Sequence, residues 1–222
     1  MPSLDTLLAF FGVSVLLALT PGPDNIFVLL QSAQRGWRAG MCVVLGLCLG
    51  LVGHTTAVAL GLAAVFAASS VAFTVLKFCG AAYLAWLAWG ALRARAEVQE
   101  VQQEAATHGA TNPPASPAVS PGAARMVGRG VVMNLTNPKV LVFFLAFLPQ
   151  FADPAQGAMA RQIMLLGLVF MLATLLVFGA IACFSGAFGA ILQRSARAQR
   201  LLNRVAGLVF LGLALRLATA QR

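Results

Sequence analysis

Two long apolar runs of this chain are each interrupted near the middle by a proline-containing segment: Thr20-Pro21-Gly22-Pro23-Asp24-Asn25 in the first and Asn134-Leu135-Thr136-Asn137-Pro138-Lys139 in the second. Proline inside a helix removes an amide donor and clashes with the preceding turn. The backbone groups left unpaired cannot face lipid and must meet protein or a water-filled cavity. The two segments therefore predict two broken helices whose breaks line one shared, wet site halfway through a membrane.

The whole chain is too hydrophobic for a water-soluble fold. Of its 222 residues, 60% are hydrophobic and 9% are charged, with a mean hydropathy of +0.87, whereas soluble domains carry about 25% charged residues. We expect an all-α integral membrane protein, a single transmembrane domain over residues 1–222 with six transmembrane helices. The apolar runs that predict them, here called spans 1 to 6, cover residues 4–34, 39–64, 69–92, 127–151, 160–190 and 203–220.

A polar stretch over residues 93–126 divides the six spans into two halves, residues 1–92 and residues 127–222. Within it, residues 111–122 are rich in proline and alanine, which is typical of a flexible linker, and the purpose of this part stays open. Each half holds three spans. Because three is an odd number, the second half enters the membrane from the opposite side, and the sequence predicts two three-helix inverted repeats.

The arginines predict the orientation. Those in the loops after spans 1, 3 and 5 are Arg35, Arg38, Arg93, Arg95, Arg125, Arg129, Arg194, Arg197, Arg200 and Arg204, against Arg161 and Arg222 on the opposite side. The positive-inside rule places these three loops, including the linker, in the cytoplasm and both termini in the periplasm. The net charge of +9 therefore reflects topology, and no nucleic-acid partner is expected.

The ends of the broken helices predict the kind of ligand. Each new helix starts with amides that lack partners and carry the positive end of the helix dipole, which favours an anion such as a carboxylate. The carbonyls that the prolines free, including those of Leu17, Leu19 and Asn134, favour an ammonium group together with Asp24. An amino acid carries both charges. We expect substrate to contact the residues of the breaks, which are Thr20, Pro21, Gly22, Pro23, Asp24, Asn25, Asn134, Asn137, Pro138 and Lys139.

Two of these residues are ionisable. Asp24 and Lys139 each cost about 2.5–3.5 kcal/mol at the centre of a span, so they form either a structural ion pair or a pair that opens to exchange partners with substrate. His54, in a glycine-rich part of span 2 that lets a neighbouring helix approach, is either a core histidine or a proton carrier together with Asp24. Lys77 and Gln150 are secondary candidates for the transport path.

The sequence gives little support for a redox, metal or hydrolytic site or for a cation pathway. The cysteines Cys42, Cys48, Cys79 and Cys183 lie within apolar runs without a CxxC pair or a His/Cys cluster, so no cofactor or metal is expected. The chain has neither a Ser/His/Asp set nor an HExxH motif, so we do not expect an enzyme. Efflux of an inorganic cation or of another small zwitterion is the alternative, although a cation pathway requires several acidic residues in the membrane and Asp24 is the only clear one.

The two proline segments also belong to a wider pattern. The further matching residues are Gly36, Gly40, Gly46, Gly50 and His54 in span 2, Lys77, Gly80, Tyr83 and Leu84 in span 3, and Phe143, Phe144, Phe147, Pro149, Gln150 and Phe151 in span 4. Over nearly its whole length the chain resembles the LysE/RhtB family of bacterial amino-acid exporters. The resemblance implies a secondary transporter of the inner membrane that exports amino acids such as lysine, threonine or homoserine by proton exchange, assembled as a homodimer.

Overall fold

The computed structural model describes residues 2–20, 22–68, 70–93, 122–185 and 196–219. All regular secondary structure in these ranges is helical, as the sequence predicts. The α-helices are α1 (Leu4–Leu19), α2 (Pro23–Arg35), α3 (Trp37–Ala68), α4 (Ser70–Arg93), α5 (Ala123–Thr136), α6 (Pro138–Val142), α7 (Met159–Cys183) and α8 (Ala196–Thr219). A π-helical turn (Phe143–Phe147) and two 3₁₀ turns (Leu148–Phe151 and Pro154–Gln156) connect α6 to α7.

The prediction of six spans is confirmed only in part. Trp37–Gly61 of α3 and Met159–Cys183 of α7 are long and apolar enough to cross a membrane, and the two bent helix pairs bring the number to four when each pair is counted as one span. Helices α4 and α8 lie in the ranges of spans 3 and 6, whose crossing stays a prediction. Most of the predicted linker lies outside the described residues, and α5 begins at Ala123, inside its predicted range.

Both predicted breaks are present. The axis turns by 63° between α1 and α2, and by 55° between α5 and the helical segment Pro138–Phe151. In each case a residue in extended conformation, Gly22 or Asn137, precedes a proline that is the first residue of the next helix. Proline is tolerated at this position because its missing amide would have had no partner there. The prolines therefore end one half-helix and start the next.

Glycines bring α3 into close contact with α5, which carries the second break. A Cβ at Gly46 would collide with the backbone of α5 at Val127 and Gly130, and one at Gly50 would lie 2.6 Å from the side-chain oxygen of Asn134. Helix α3 also packs against α7. The predicted role of glycine spacing in span 2 is thus confirmed, and it places His54 beside the end of α5.

A cluster of aromatic rings packs around the second half of the broken span 4. The ring of Phe143, in the π-helical turn, lies 4.8 Å from that of Phe147 and 5.2 Å from that of Phe170 in α7, measured between centroids. Phe10 of α1 packs against Phe151, with 5.1 Å between ring centroids. These contacts fix the segment after the second break between α1 and α7.

Replacing Gly46 by valine should destabilise the protein, because the side chain has no space against the α5 backbone. Overpacking typically costs about 1–3 kcal/mol, so the unfolding temperature of the purified protein in detergent should fall. Gly61→Val is the matched control, since Gly61 lies on the same helix with no neighbouring atom within 4 Å of its Cβ position. Equal unfolding temperatures for the two variants would contradict the described packing of α3 on α5.

Candidate functional site

The structure brings the two breaks into direct contact. The amide Nδ2 of Asn137 donates a hydrogen bond of 2.9 Å to Oδ2 of Asp24. On its other side the Asn137 side chain caps α6, because its Oδ1 accepts the backbone N–H of Lys139 at 3.0 Å. One residue of the second break therefore binds the carboxylate of the first break and caps its own helix.

The ammonium group of Lys139 is held by backbone carbonyls of the first break. It donates hydrogen bonds to the carbonyl oxygens of Leu17 at 3.2 Å and of Thr20 at 3.1 Å. The carbonyl of Leu17 is one of those that the prolines were predicted to free, and the C-terminal end of α1 carries the negative end of its dipole. The predicted carbonyl cradle for an ammonium group thus holds a lysine of the protein itself.

Side chains satisfy further carbonyls at the end of α1. The Asn25 amide donates to the carbonyl of Ala18 at 2.8 Å, and the Thr20 hydroxyl donates to that of Leu16 at 2.8 Å. Unpaired carbonyls in lipid cost several kcal/mol each. The polar residues Thr20 and Asn25, both predicted as site residues, therefore stabilise the open end of this half-helix.

Asp24 and Lys139 occupy corresponding positions in the two breaks. Each directly follows the proline that starts a half-helix, Pro23 in α2 and Pro138 in α6. A carboxylate suits such a helix start, whereas an ammonium does not. Lys139 compensates because its side chain reaches the opposite dipole end of α1. The two charges are thus bound by neutral groups: the carboxylate by the Asn137 amide and the ammonium by carbonyls.

Some hydrogen-bond acceptors at the breaks have no partner. The buried oxygens Oδ1 of Asp24, Oδ1 of Asn25 and Oδ1 of Asn134 have no hydrogen-bond partner. Asp24 is 3% exposed, Asn137 is 4% exposed and Lys139 is 9% exposed. The polar groups are therefore enclosed, and three of their oxygens remain available to a hydrogen-bond donor.

His54 lies at the end of α5. Its Nε2 is 3.3 Å from the backbone carbonyl oxygen of Asn134, which is the carbonyl that Pro138 was predicted to free. Since a carbonyl only accepts, this hydrogen bond requires the tautomer with a proton on Nε2. The ring packs on Phe144, with centroids 5.6 Å apart. His54 is thus next to the second break, whereas the glycine pattern predicted only that some neighbouring helix would lie close to it.

The remaining predicted site residues lie elsewhere or outside the description. Pro21 is outside the described residues, and so is the side chain of Lys77 in α4. Gln150 lines a cavity of about 350 Å³ with Asp5, Asp153 and others, and none of the break residues lines it. Within the described ranges, no group of three or more His, Cys, Asp or Glu side chains is placed to hold a metal ion.

One open groove adjoins the first break. It has a volume of about 520 Å³ and is lined by Gly22, Pro23, Ile26, Phe27, Leu30 and Met133. Its lining is almost entirely apolar, and it does not include the three hydrogen-bonded residues Asp24, Asn137 and Lys139. The structure therefore has the polar site closed on this side, and the predicted water-filled chamber stays a prediction.

Sequence reasoning did not identify Gln31 of α2, a buried polar residue. It is 5% exposed, and its Oε1 has no hydrogen-bond partner. Its spacing of seven residues from Asp24, which places both on the same helix face, is the signal that could have identified it.

Comparison with known proteins identifies the family of this chain. The family model of LysE type translocators matches residues 6–221. The chain belongs to this family. The two broken helices and the polar contact between them are thus features of a LysE translocator, a membrane protein of a transporter family.

Relatives of this LysE family member include named efflux proteins. The homoserine/homoserine lactone efflux protein of Salmonella typhi is 32% identical over 96% of both chains. The leucine efflux protein of Enterobacter sp. (strain 638) is 28% identical over 95% of this chain and 92% of its own. A membrane protein of Vibrio cholerae is 31% identical over 96% of this chain and 97% of its own. No solved structure matches the chain.

Substituting Asn137 should separate its two functions in this LysE family member. Asn137→Ser keeps an oxygen to cap α6 but removes the longer amide group that reaches Asp24, and loss of this hydrogen bond should cost about 1–3 kcal/mol. Asn137→Asp also keeps the cap but places a second carboxylate against Asp24, and like charges repel strongly when buried. The unfolding temperature in detergent should therefore fall more for Asn137→Asp than for Asn137→Ser. The reverse order would contradict the observed contact.

Proposed function

We propose that this LysE family protein is a secondary transporter that exports amino acids across the bacterial inner membrane, with substrate bound between the two breaks. The observation that carries the proposal is the contact between the breaks, in which Asp24 and Lys139 are each bound by neutral groups. Charges bound by neutral groups exchange partners more easily than the charges of a tight ion pair. When one of them moves to the substrate, it does not leave an unpaired opposite charge behind. Amino-acid export also agrees with the names of the efflux relatives.

A zwitterion matches the groups that the site offers. Oδ1 of Asp24 is buried without a partner and can accept from a substrate ammonium group. The Lys139 ammonium has three donors, of which two bind the carbonyls of Leu17 and Thr20. A Cβ at Gly22 would lie 3.2 Å from the Lys139 nitrogen, so any other residue at this position would crowd the ammonium group. A substrate carboxylate would bind there and draw Lys139 away from α1.

The inverted-repeat topology that we propose is supported by the helix contacts. If the halves are exchanged, α3 takes the place of α7 and α5 takes the place of α1. The contact between α3 and α5 thus has its equivalent in the contact between α7 and α1. Each of α3 and α4 also contacts the corresponding helix of the other half, which is α7 for α3 and α8 for α4. In such transporters, substrate binds near the midplane at discontinuous helices. Residues 1–92 and 127–222 would be the two repeats, joined by the linker over residues 93–126.

The orientation follows from the arginines, with the loops after spans 1, 3 and 5 in the cytoplasm and both termini in the periplasm. Arg35 ends α2 and Arg38 lies in the first turn of α3, so the junction of these helices would face the cytoplasm. Substrate would then enter from the end of α2 and leave toward the start of α1. Assembly as a homodimer is part of the same proposal.

Proton exchange would use Asp24 and His54. A proton on Asp24 removes the charge that holds the substrate ammonium group, so protonation from one side and substrate binding from the other exclude each other. His54 binds the carbonyl of Asn134 and lies beside the second break, and it would be the second proton carrier of the proposed exchange. Alternate binding of a proton and of substrate at Asp24 would couple export to the proton gradient.

The substrate class is narrowed by the charges of the described residues. Asp5, Asp24 and Asp153 are the acidic side chains in the described ranges, and of these only Asp24 is buried. A substrate with a second positive charge would lack a partner, so we favour amino acids with uncharged side chains, such as homoserine or leucine, over lysine. Inorganic cations, the alternative, would require more carboxylates than this part of the chain provides, whereas another small zwitterion would fit the same groups.

Cells that overproduce the protein should release more amino acid than control cells, measured by metabolite analysis of the medium. Asp24→Asn and Lys139→Met should each reduce this release at least tenfold, because each removes one of the two charges that bind substrate. Asp5→Asn is the matched control, since Asp5 is an exposed acidic residue at the start of α1. Unchanged release of every amino acid tested would end the exporter hypothesis, and wild-type rates in both variants would show that the two charges only support the fold.

Export should also depend on the proton gradient. A protonophore should slow release from cells and uptake into everted vesicles, and an artificial pH gradient of the correct direction should restore both, because protons would replace substrate at Asp24. Collapse of the electrical potential alone, with valinomycin and potassium, controls for general loss of membrane energy. Export that is indifferent to the pH gradient would exclude Asp24 and His54 as proton carriers.

A further inference from the structure

The buried face of α2 extends the polar site toward one end of the helix. The buried residues of α2 are Asp24, Val28, Gln31 and Ser32, which have the spacing of a single helix face. Asp24 is in the first turn and Gln31 is in the next-to-last one. Seven residues of helix place them about 10 Å apart along the axis. The face therefore has a polar group near each end, with Val28 between them.

The two polar groups near the end of this face differ in their hydrogen bonding. The hydroxyl of Ser32 donates to the carbonyl of Val28 at 2.7 Å and is thereby satisfied within the helix. The side-chain oxygen of Gln31 is buried and accepts no hydrogen bond. Helix α2 packs here against α3 and α7, and the apolar residues buried with Val28 include Val43, Val44 and Phe178. Gln31, three residues after Val28 in the same helix, thus has an unpartnered carbonyl that is buried.

A buried carbonyl without a donor weakens a fold, and an apolar side chain of the same shape would serve packing equally well or better. The same deficit exists at Asp24, whose Oδ1 is buried without a partner at the other end of the face. Both are acceptors. The group that would satisfy each of them is a donor, and the ammonium group of an amino acid is a donor at all three of its N–H bonds.

We propose that Gln31 is a substrate-binding residue on the path between the arginine-bearing end of α2 and Asp24. The ammonium group of the amino acid donates to Oε1 of Gln31 first, and then passes along the same helix face to Asp24. This inference rests on the proposed export function and on the proposed orientation, in which Arg35 and Arg38 face the cytoplasm. It makes Gln31 a determinant of substrate affinity on the entry side only.

Vesicles of both orientations test this proposal. Export appears as uptake into inside-out vesicles, which present the cytoplasmic face, and counterflow in right-side-out vesicles reports binding from the opposite face. Gln31→Leu should raise KM for the amino acid in inside-out vesicles by roughly tenfold, the effect of one lost hydrogen bond to a charged group. The maximal rate in these vesicles and the KM from the opposite face should not change.

Ser32→Ala is the matched control, because its neighbouring hydroxyl is buried but already satisfied by Val28; its KM should equal that of the wild type. Gln31→Met, which is unbranched like glutamine, repeats the test in case the leucine variant folds poorly. The unfolding temperature of both Gln31 variants should be equal to or higher than that of the wild type, since a buried unpartnered carbonyl is removed.

The outcomes separate this inference from the proposed function. Wild-type vesicles that take up no amino acid would overturn the export function, and this inference with it. Wild-type uptake with an unchanged KM in the Gln31 variants would overturn the inference alone. A KM that rises equally from both faces would also overturn it, because the substitution would then act indirectly through Asp24.

Discussion

The hydrogen bonds from the Lys139 ammonium to the carbonyls of Leu17 and Thr20 are the interaction on which the site depends. Prolines at the first break end α1 inside an apolar region, where open carbonyls are costly. Lysine at the start of α6 is equally unfavourable, because it lies at the positive end of its own helix. The ammonium group of Lys139 satisfies the open carbonyls of α1, and these carbonyls stabilise the ammonium group. The broken spans therefore stabilise one another only when they meet, which fixes where the two halves of the chain touch.

If substrate binds between the breaks as proposed, the opposite charges after the two prolines would make this contact selective for a zwitterion. A ligand with one charge would satisfy one half-helix and leave the other charge with a neutral partner only. An amino acid would offer a carboxylate to Lys139 and an ammonium group to Asp24, and so would replace contacts on both sides without leaving either charge unbound. Because the binding groups in the closed structure are neutral, the exchange does not require the separation of a tight ion pair in a medium of low dielectric constant.

Local rules were sufficient to predict the breaks, since proline chemistry depends only on neighbouring residues. The freed carbonyl of Leu17 and the close approach at the glycines of α3 followed in the same way. The partner of each charge did not, because it depends on how two segments more than 100 residues apart are positioned. The sequence therefore predicted Asp24 or a carboxylate of the substrate as the partner of Lys139, although the carbonyls of α1 were already expected to attract an ammonium group. The π-helical turn and the unpartnered Gln31 likewise arise from packing.

Asn137 adds a mechanical consequence to this electrostatic arrangement. Its amide binds the Asp24 carboxylate while its oxygen holds the first free amide of α6, so the starts of α2 and α6 are linked through a single side chain. In the proposed transport cycle, a substrate ammonium group that bound Asp24 would compete with the Asn137 amide for the carboxylate. Loss of that hydrogen bond would free α2 from the start of α6, just as a substrate carboxylate would free Lys139 from α1. Both substrate charges would thus weaken the contact between the two breaks, and a ligand with only one of them would leave half of these hydrogen bonds in place.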